Sequence, residues 1–226
     1  MKKIIILIIT LISLNIYSLD TGHSSGQLEQ YDKGFTKFEY YYKVFYMNRP
    51  SKLYINEFRF NIGLTSFLSS RVKFESRKID DEINSYFTVD LYLTPLSVKY
   101  MDLMFYSKFR NDYFVTVGSE IDFKFPSLST LGAYIQFEML FMEHAKYGNY
   151  SYLGAHYSFL DDFGALIEFD LFKPYNENLF LEGIMFTLEY KVIENTSLVA
   201  ETYYIFPHDD NDFDYLIKFG IKVDLP

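Results

Sequence analysis

The sequence predicts an all-β protein, a closed antiparallel transmembrane β-barrel of about 12 strands. Three observations predict it. Hydrophobic residues make up 49% of the 226-residue chain, yet mean hydropathy is only −0.04, so apolar residues are interleaved with polar ones. The 22 Tyr and 24 Phe suit pleated surfaces. From Thr36 to the end, period-two alternation dominates, and no apolar stretch there approaches the roughly 20 residues of a membrane-spanning helix.

The chain opens Met1-Lys2-Lys3 and runs apolar from Ile4 to Ile16, with Ser18 placed to end a cleavage site. A charged start and a short apolar run are the marks of a secretory signal peptide, here residues 1–18. Residues 19–34, with Gly22, Ser24, Ser25 and Gly26, read as a flexible periplasmic leader, and residues 35–226 as the barrel. Loss of residues 1–18 removes Lys2 and Lys3 and no acid, taking the formal charge from −9 to −11. Acidic balance without a Lys/Arg stripe argues against nucleic acid as a partner. The absence of Cys excludes disulfides, a lipid-attachment thiol and thiolate metal sites, and no cofactor is expected.

The strands follow in order. The first sets Phe38, Tyr40, Tyr42, Val44 and Tyr46 against Lys37, Glu39, Tyr41 and Lys43, before a turn at Asn48-Arg49-Pro50-Ser51. The second sets Tyr54, Phe58, Phe60, Ile62 and Leu64 against Glu57, Arg59, Asn61 and Gly63. A short third sets Val72 and Phe74 against Arg71, Lys73 and Glu75, and a polar loop from Arg77 to Asn84 follows. The fourth sets Phe87, Val89, Leu91 and Leu93 against Thr88, Asp90 and Tyr92, turning at Pro95. The fifth sets Met101, Leu103 and Phe105 against Tyr100, Asp102, Met104 and Tyr106, and turns at Arg110-Asn111-Asp112. The sixth sets Val115, Val117, Ile121 and Phe123 against Thr116, Gly118, Glu120 and Asp122, turning at Pro126-Ser127.

The seventh sets Ala133, Ile135, Phe137 and Met139 against Gly132, Tyr134, Gln136 and Glu138, with a loop from Glu143 to Asn149. The eighth sets Leu153, Ala155 and Tyr157 against Tyr152, Gly154, His156 and Ser158. After Asp161-Asp162, the ninth sets Ala165, Ile167, Phe169 and Leu171 against Gly164, Glu168 and Asp170. After a loop from Lys173 to Asn178, the tenth sets Phe180, Ile184, Phe186, Leu188 and Tyr190 against Gly183, Thr187, Glu189 and Lys191. Beyond Asn195, the eleventh sets Leu198, Ala200 and Tyr204 against Val199, Glu201 and Tyr203. After Pro207 to Asp212, the last sets Tyr215, Ile217, Phe219, Ile221, Val223 and Leu225 against Lys218, Gly220, Lys222 and Asp224.

A soluble secreted ligand-binding barrel would hide the apolar face in a core, whereas a membrane barrel turns it to lipid. The apolar face carries almost no charge, with Lys99 and Glu182 as exceptions near strand ends, where a membrane interface tolerates them. The polar face mixes acids, bases, Tyr and Gly, as an aqueous lumen does. The membrane barrel is the expectation, with both termini in the periplasm.

The C-terminal Lys218-Phe219-Gly220-Ile221-Lys222-Val223-Asp224-Leu225 resembles the insertion signal of outer-membrane barrels. Lys218, Gly220, Val223 and Leu225 fill its places, although Val223 and Leu225 are not aromatic and Pro226 follows. Over residues 35–226 the chain resembles small porin-like bacterial outer-membrane barrels. That resemblance implies an outer-membrane location and delivery by the outer-membrane insertion machinery.

Twelve strands about 4.7 Å apart and tilted about 40° close at a diameter of roughly 23 Å, which leaves a narrow lumen. The candidate pore-lining residues are Lys43, Arg59, Arg71, Lys73, Asp90, Asp102, Glu120, Asp122, Glu138, His156, Glu168, Asp170, Glu189, Lys191, Glu201 and Lys218, with Glu57, Glu75, Lys124 and Lys222 beside them. In one reading they line a passive channel for ions or small solutes, mildly cation-preferring because acids predominate. In the other they pair and fill a closed structural or adhesive barrel that meets a surface ligand through short loops.

His156 and Ser158 share a strand face, and a three-residue turn at Asp162 would set Glu168 opposite His156, a Ser/His/acid set. The pair resembles the His-x-Ser strand of outer-membrane phospholipase A, a twelve-stranded barrel. In that family the pair faces lipid, whereas here it shares the polar face, so no catalytic residue is assigned. Asp209, Asp210 and Asp212 beside His208 read as a solvated acidic loop, and no metal site is assigned.

Overall fold

The computed structural model describes residues 33–47, 52–112, 114–125, 131–142, 145–160, 162–175, 177–206 and 213–225. The signal peptide and nearly all of the leader expected from the sequence lie outside them, as do the turns at residues 48–51 and 126–130 and the loop at 207–212.

The described residues form twelve strands: β1 (Thr36–Met47), β2 (Lys52–Gly63), β3 (Leu68–Ile79), β4 (Glu82–Val98), β5 (Met101–Arg110), β6 (Val115–Lys124), β7 (Leu131–Met142), β8 (Ala145–Leu160), β9 (Phe163–Pro174), β10 (Phe180–Ile193), β11 (Thr196–Ile205) and β12 (Phe213–Leu225). Each pairs antiparallel with its sequence neighbours, and β1 pairs with β12 to close the barrel. Closure leaves no open edge, so every strand can satisfy its backbone within the sheet.

The side-chain distribution is that of a globular protein turned inside out. Lys43, Glu57 and Lys218 are fully buried, while Phe137 is 52% exposed and Phe219 is 59% exposed. Such an outer wall is stable against hydrocarbon, so the barrel is of the membrane-embedded type rather than a soluble one. Tyr46, Tyr54, Tyr147, Tyr175 and Tyr215 lie at or next to strand ends on one side, as an aromatic girdle does.

Several boundaries differ from the sequence expectation. The third strand is twelve residues long, not short, and Arg77–Asn84 is no loop. Its residues pair across the hairpin, with Arg77 opposite Asn84 and Lys78 opposite Ile83, around a turn at Asp80 with φ 50°. Arg77, Lys78, Asp80, Asp81, Glu82 and Asn84 put polar residues on both faces of this hairpin, so the period-two alternation fails there and the segment reads as loop. Strand β4 runs through Pro95 to Val98 and turns at Lys99-Tyr100. A bulge between Leu93 and Leu96 absorbs the proline, whose missing N–H would otherwise leave a gap in the ladder. Strand β8 begins at Ala145, inside the loop expected from Glu143 to Asn149.

A second bulge, between Leu181 and Gly183, changes the role of Glu182. The sequence places Glu182 on the apolar face. As the extra residue of the bulge it turns to the interior instead, where the Tyr150 hydroxyl donates to it at 3.0 Å.

Candidate functional site

The barrel interior is the candidate site, and the inward half of each strand builds it. Two ends are distinguished: the terminal rim, where β1 begins and β12 ends, and the distal rim, carrying the turns at residues 80–81 and 111–112.

On β1, β2, β11 and β12 the interior is a network of ion pairs. Glu57 accepts from Lys43 Nζ at 2.9 Å and from Arg59 Nε at 2.5 Å. Arg59 also lies 3.8 Å from Glu39 and stacks on Tyr41, its guanidinium carbon 4.9 Å from the ring centroid. Lys218 reaches Glu201 at 2.5 Å and also caps the Tyr41 ring at 4.8 Å. Lys222 pairs with Glu189 at 2.6 Å, skipping over β11. On β3 and β4, Arg71 lies 3.6 Å from Asp90 and stacks on Tyr92, and Lys73 is buried nearby. Arg77 pairs with Glu75.

The wall from β6 to β10 has a different chemistry. Strands β7, β8 and β9 carry no Lys or Arg at an inward position among the described residues. They carry Glu138, Glu168 and Asp170 among Tyr134, Tyr150 and Tyr152. The Tyr134 hydroxyl donates to Glu168. Glu138 gathers Tyr106, Gln136 and Tyr152 together with Lys108, whose Nζ reaches it at 2.5 Å from two strands away. Glu120 is buried on the same wall. The interior is therefore electrically lopsided, with cations concentrated on one wall and acids with phenols on the other.

Glycines make this packing possible. A Cβ on Gly154 would lie 2.1 Å from the Tyr134 ring, and one on Gly220 would lie 2.1 Å from the Tyr41 ring. Gly220 of the terminal motif is thus also the floor on which Tyr41 rests, with Arg59 and Lys218 against that ring.

The residues singled out by sequence fall into three groups. Lys43, Arg59, Arg71, Lys73, Asp90, Glu120, Glu138, Glu168, Asp170, Glu201 and Lys218 are buried inside. Asp102, Asp122, His156 and Glu189 lie partly accessible toward the terminal rim, where Asp102 meets Lys124 at 2.5 Å and Asp122 lies 3.6 Å from His156. Lys191 is exposed at the end of β10, outside the enclosed interior, because β10 outruns the ring there.

The Ser/His/acid set fails on register. A bulge between Ser158 and Leu160 shifts the β8–β9 pairing, so His156 faces Leu166, and Glu168 faces Gly154. The acid beside His156 is Asp122 instead. The His208 loop lies outside the described residues.

Sequence reasoning missed two components. Lys108 is the cation that reaches Glu138, and it escaped because its strand was followed only to Tyr106. The other is an apolar layer toward the distal rim. Phe45, Leu53, Leu140, Phe172, Ile205 and Leu216 point inward and join one buried cluster with Tyr150 and Tyr203. Alternation could have found them, since each keeps the parity of its strand's polar face; their type hid them.

No family model matches the chain, and no curated protein matches it. Solved structures do match. The KdgM porin superposes with a TM-score of 0.65 at 9% identity, over 84% of this chain and 99% of the porin. An outer membrane channel from Pseudomonas putida F1 gives 0.64 at 9% identity, over 89% of this chain and 99% of the channel. Outer membrane phospholipase A from Escherichia coli gives 0.50 at 11% identity, over 87% and 94%. At these identities the likeness concerns the fold: the chain has the architecture of the small outer-membrane porins.

Proposed function

We propose that the chain is an outer-membrane channel for ions or small solutes, mildly cation-preferring, in an occluded state. Residues 1–18 direct its export, residues 19–34 remain as a periplasmic leader, and the terminal strand addresses it to the insertion machinery. The observation that carries the reading is the lopsided interior. Cations on β1, β2 and β12 have carboxylates within reach, whereas β7–β9 present Glu138, Glu168 and Asp170 with no inward Lys or Arg on those strands among the described residues. A low-dielectric wall focuses the field of such charges and favours cations along it.

A second reading is favoured by a specific observation. Lys43, Glu57, Gln136 and Glu168 are wholly inaccessible, and an apolar layer lies between them and the distal rim. A structural barrel, sealed and meeting surface ligands through its loops, would look the same. Reconstitution in planar bilayers separates the two. The channel gives a cation-biased reversal potential in a salt gradient, reduced in Asp170→Asn. The bias weakens with salt as the screening length falls from about 10 Å at 0.1 M to about 3 Å at 1 M. Absence of current from folded protein, under voltage and across pH, sinks the channel reading.

A further inference from the structure

The lipid-facing wall is not uniformly smooth. A groove of about 510 Å³ crosses it over β5 to β8, with Leu179 and Lys173 at one end. Register explains the groove. One cross-strand row reads Phe105, Ser119, Phe137, Ser151, Leu171, so two small serines flank a projecting ring. The next row toward the distal rim reads Ser107, Val117, Met139, Asn149, Lys173. The floor therefore drops at Ser119 and Ser151, between walls of Phe105, Phe137 and Met139. The trough ends at an exposed lysine beside the exposed rings of Tyr147 and Tyr175.

We propose that this groove holds one phosphorylated lipid, with an acyl chain along Phe105, Val117, Phe137 and Met139 and its phosphate at Lys173. A volume of that size falls within the roughly 300–1,000 Å³ of ligand pockets. The lining is mostly apolar, with the neutral Ser119, Ser151 and Asn149 between the apolar side chains, and cationic only at the interfacial end, the order of parts in an anionic lipid. A lysine there keeps its ammonium at headgroup level while its methylenes stay against the apolar wall. The protein as a whole is acidic, so general attraction to anionic headgroups is weak and retention depends on this one lysine. A second copy of the chain fits less well, because Lys173 at the groove's end has no carboxylate in the groove's outward rows to meet it.

The test uses the full-length mature barrel, purified in detergent, delipidated and reloaded with phosphatidylglycerol, with retained lipid counted by native mass spectrometry. Wild type is expected to retain one phosphatidylglycerol and no diacylglycerol. Lys173→Glu lowers retention about tenfold, as does Ser119→Leu with Ser151→Leu, which fills the trough. Lys78→Glu, an exposed lysine at another strand end, leaves it unchanged. A heat-modified gel shift verifies that each variant is a closed barrel; should the double leucine variant not fold, Lys173→Glu alone decides. Equal retention in wild type and Lys173→Glu overturns the proposal. So does displacement of the lipid by millimolar inorganic phosphate, or efficient disulfide-linked dimers of Ser119→Cys, which would put a second copy in the groove.

Discussion

Glu57→Gln tests whether the interior is dry. Glu57 is fully buried and holds two buried cations, Lys43 at 2.9 Å and Arg59 at 2.5 Å. Glutamine preserves the volume but removes the charge, and its amide turns donors toward groups that are themselves donors. Breaking a buried pair by removing one partner costs about 3–5 kcal/mol. Arg59 retains Glu39 at 3.8 Å and the Tyr41 ring, so the expected loss lies at the lower end, about 3 kcal/mol. Denaturant unfolding in detergent micelles, followed by tyrosine fluorescence in this Trp-free chain, measures it. Adding Lys43→Met is expected to recover part of the loss, since one of the two stranded charges is gone. A loss below about 1 kcal/mol, the range of solvated ion pairs, would refute the reasoning and mean that water fills the lumen.

Ile135→Arg, on the outer face of β7, is expected to cost about 2–4 kcal/mol in unfolding from vesicles; a negligible loss would remove β7 from the hydrocarbon. Its neighbour Gln136 is buried and donates to Tyr106 at 2.7 Å, so Gln136→Arg is expected to overpack the interior at about 1–3 kcal/mol, although polarity alone would forecast little effect. Cysteine at Asn111 is expected to react with an impermeant reagent on whole cells and cysteine at Asn195 is not; the opposite pattern inverts the barrel. Partial desolvation of the exposed Asp112 raises its pKa, but two Arg110 bonds of 2.7 Å outweigh that and hold its carboxyl below 3.8. Its contribution is therefore complete above that value and lost as pH falls through the lower folded one; acid titration by NMR reads the midpoint, and Arg110→Gln is expected to move it upward.

Alternation by itself determined the all-β class, the twelve strands and the two faces, because a period of two is a local property of the pleat. Lys43, Glu57 and Lys218 are interior because they share parity with their strand's polar residues, and no tertiary information is needed to see it. Register and bulges were not legible. The bulge at Leu181 to Gly183 turns Glu182 inward, and the one after Ser158 takes Glu168 away from His156; each follows from how neighbouring strands stagger to close the ring. Which charges meet was likewise decided by closure. Lys108 and Glu138 are 30 residues apart with a whole strand between them, and Lys222 reaches Glu189 across β11. The apolar layer of Phe45, Leu53, Leu140 and Leu216 obeys the alternation yet contradicts the rule that apolar side chains face lipid. Sequence encodes which side of its own strand a residue occupies; only the closed ring decides what lies across from it, since that depends on tilt, stagger and the size of every side chain sharing the interior.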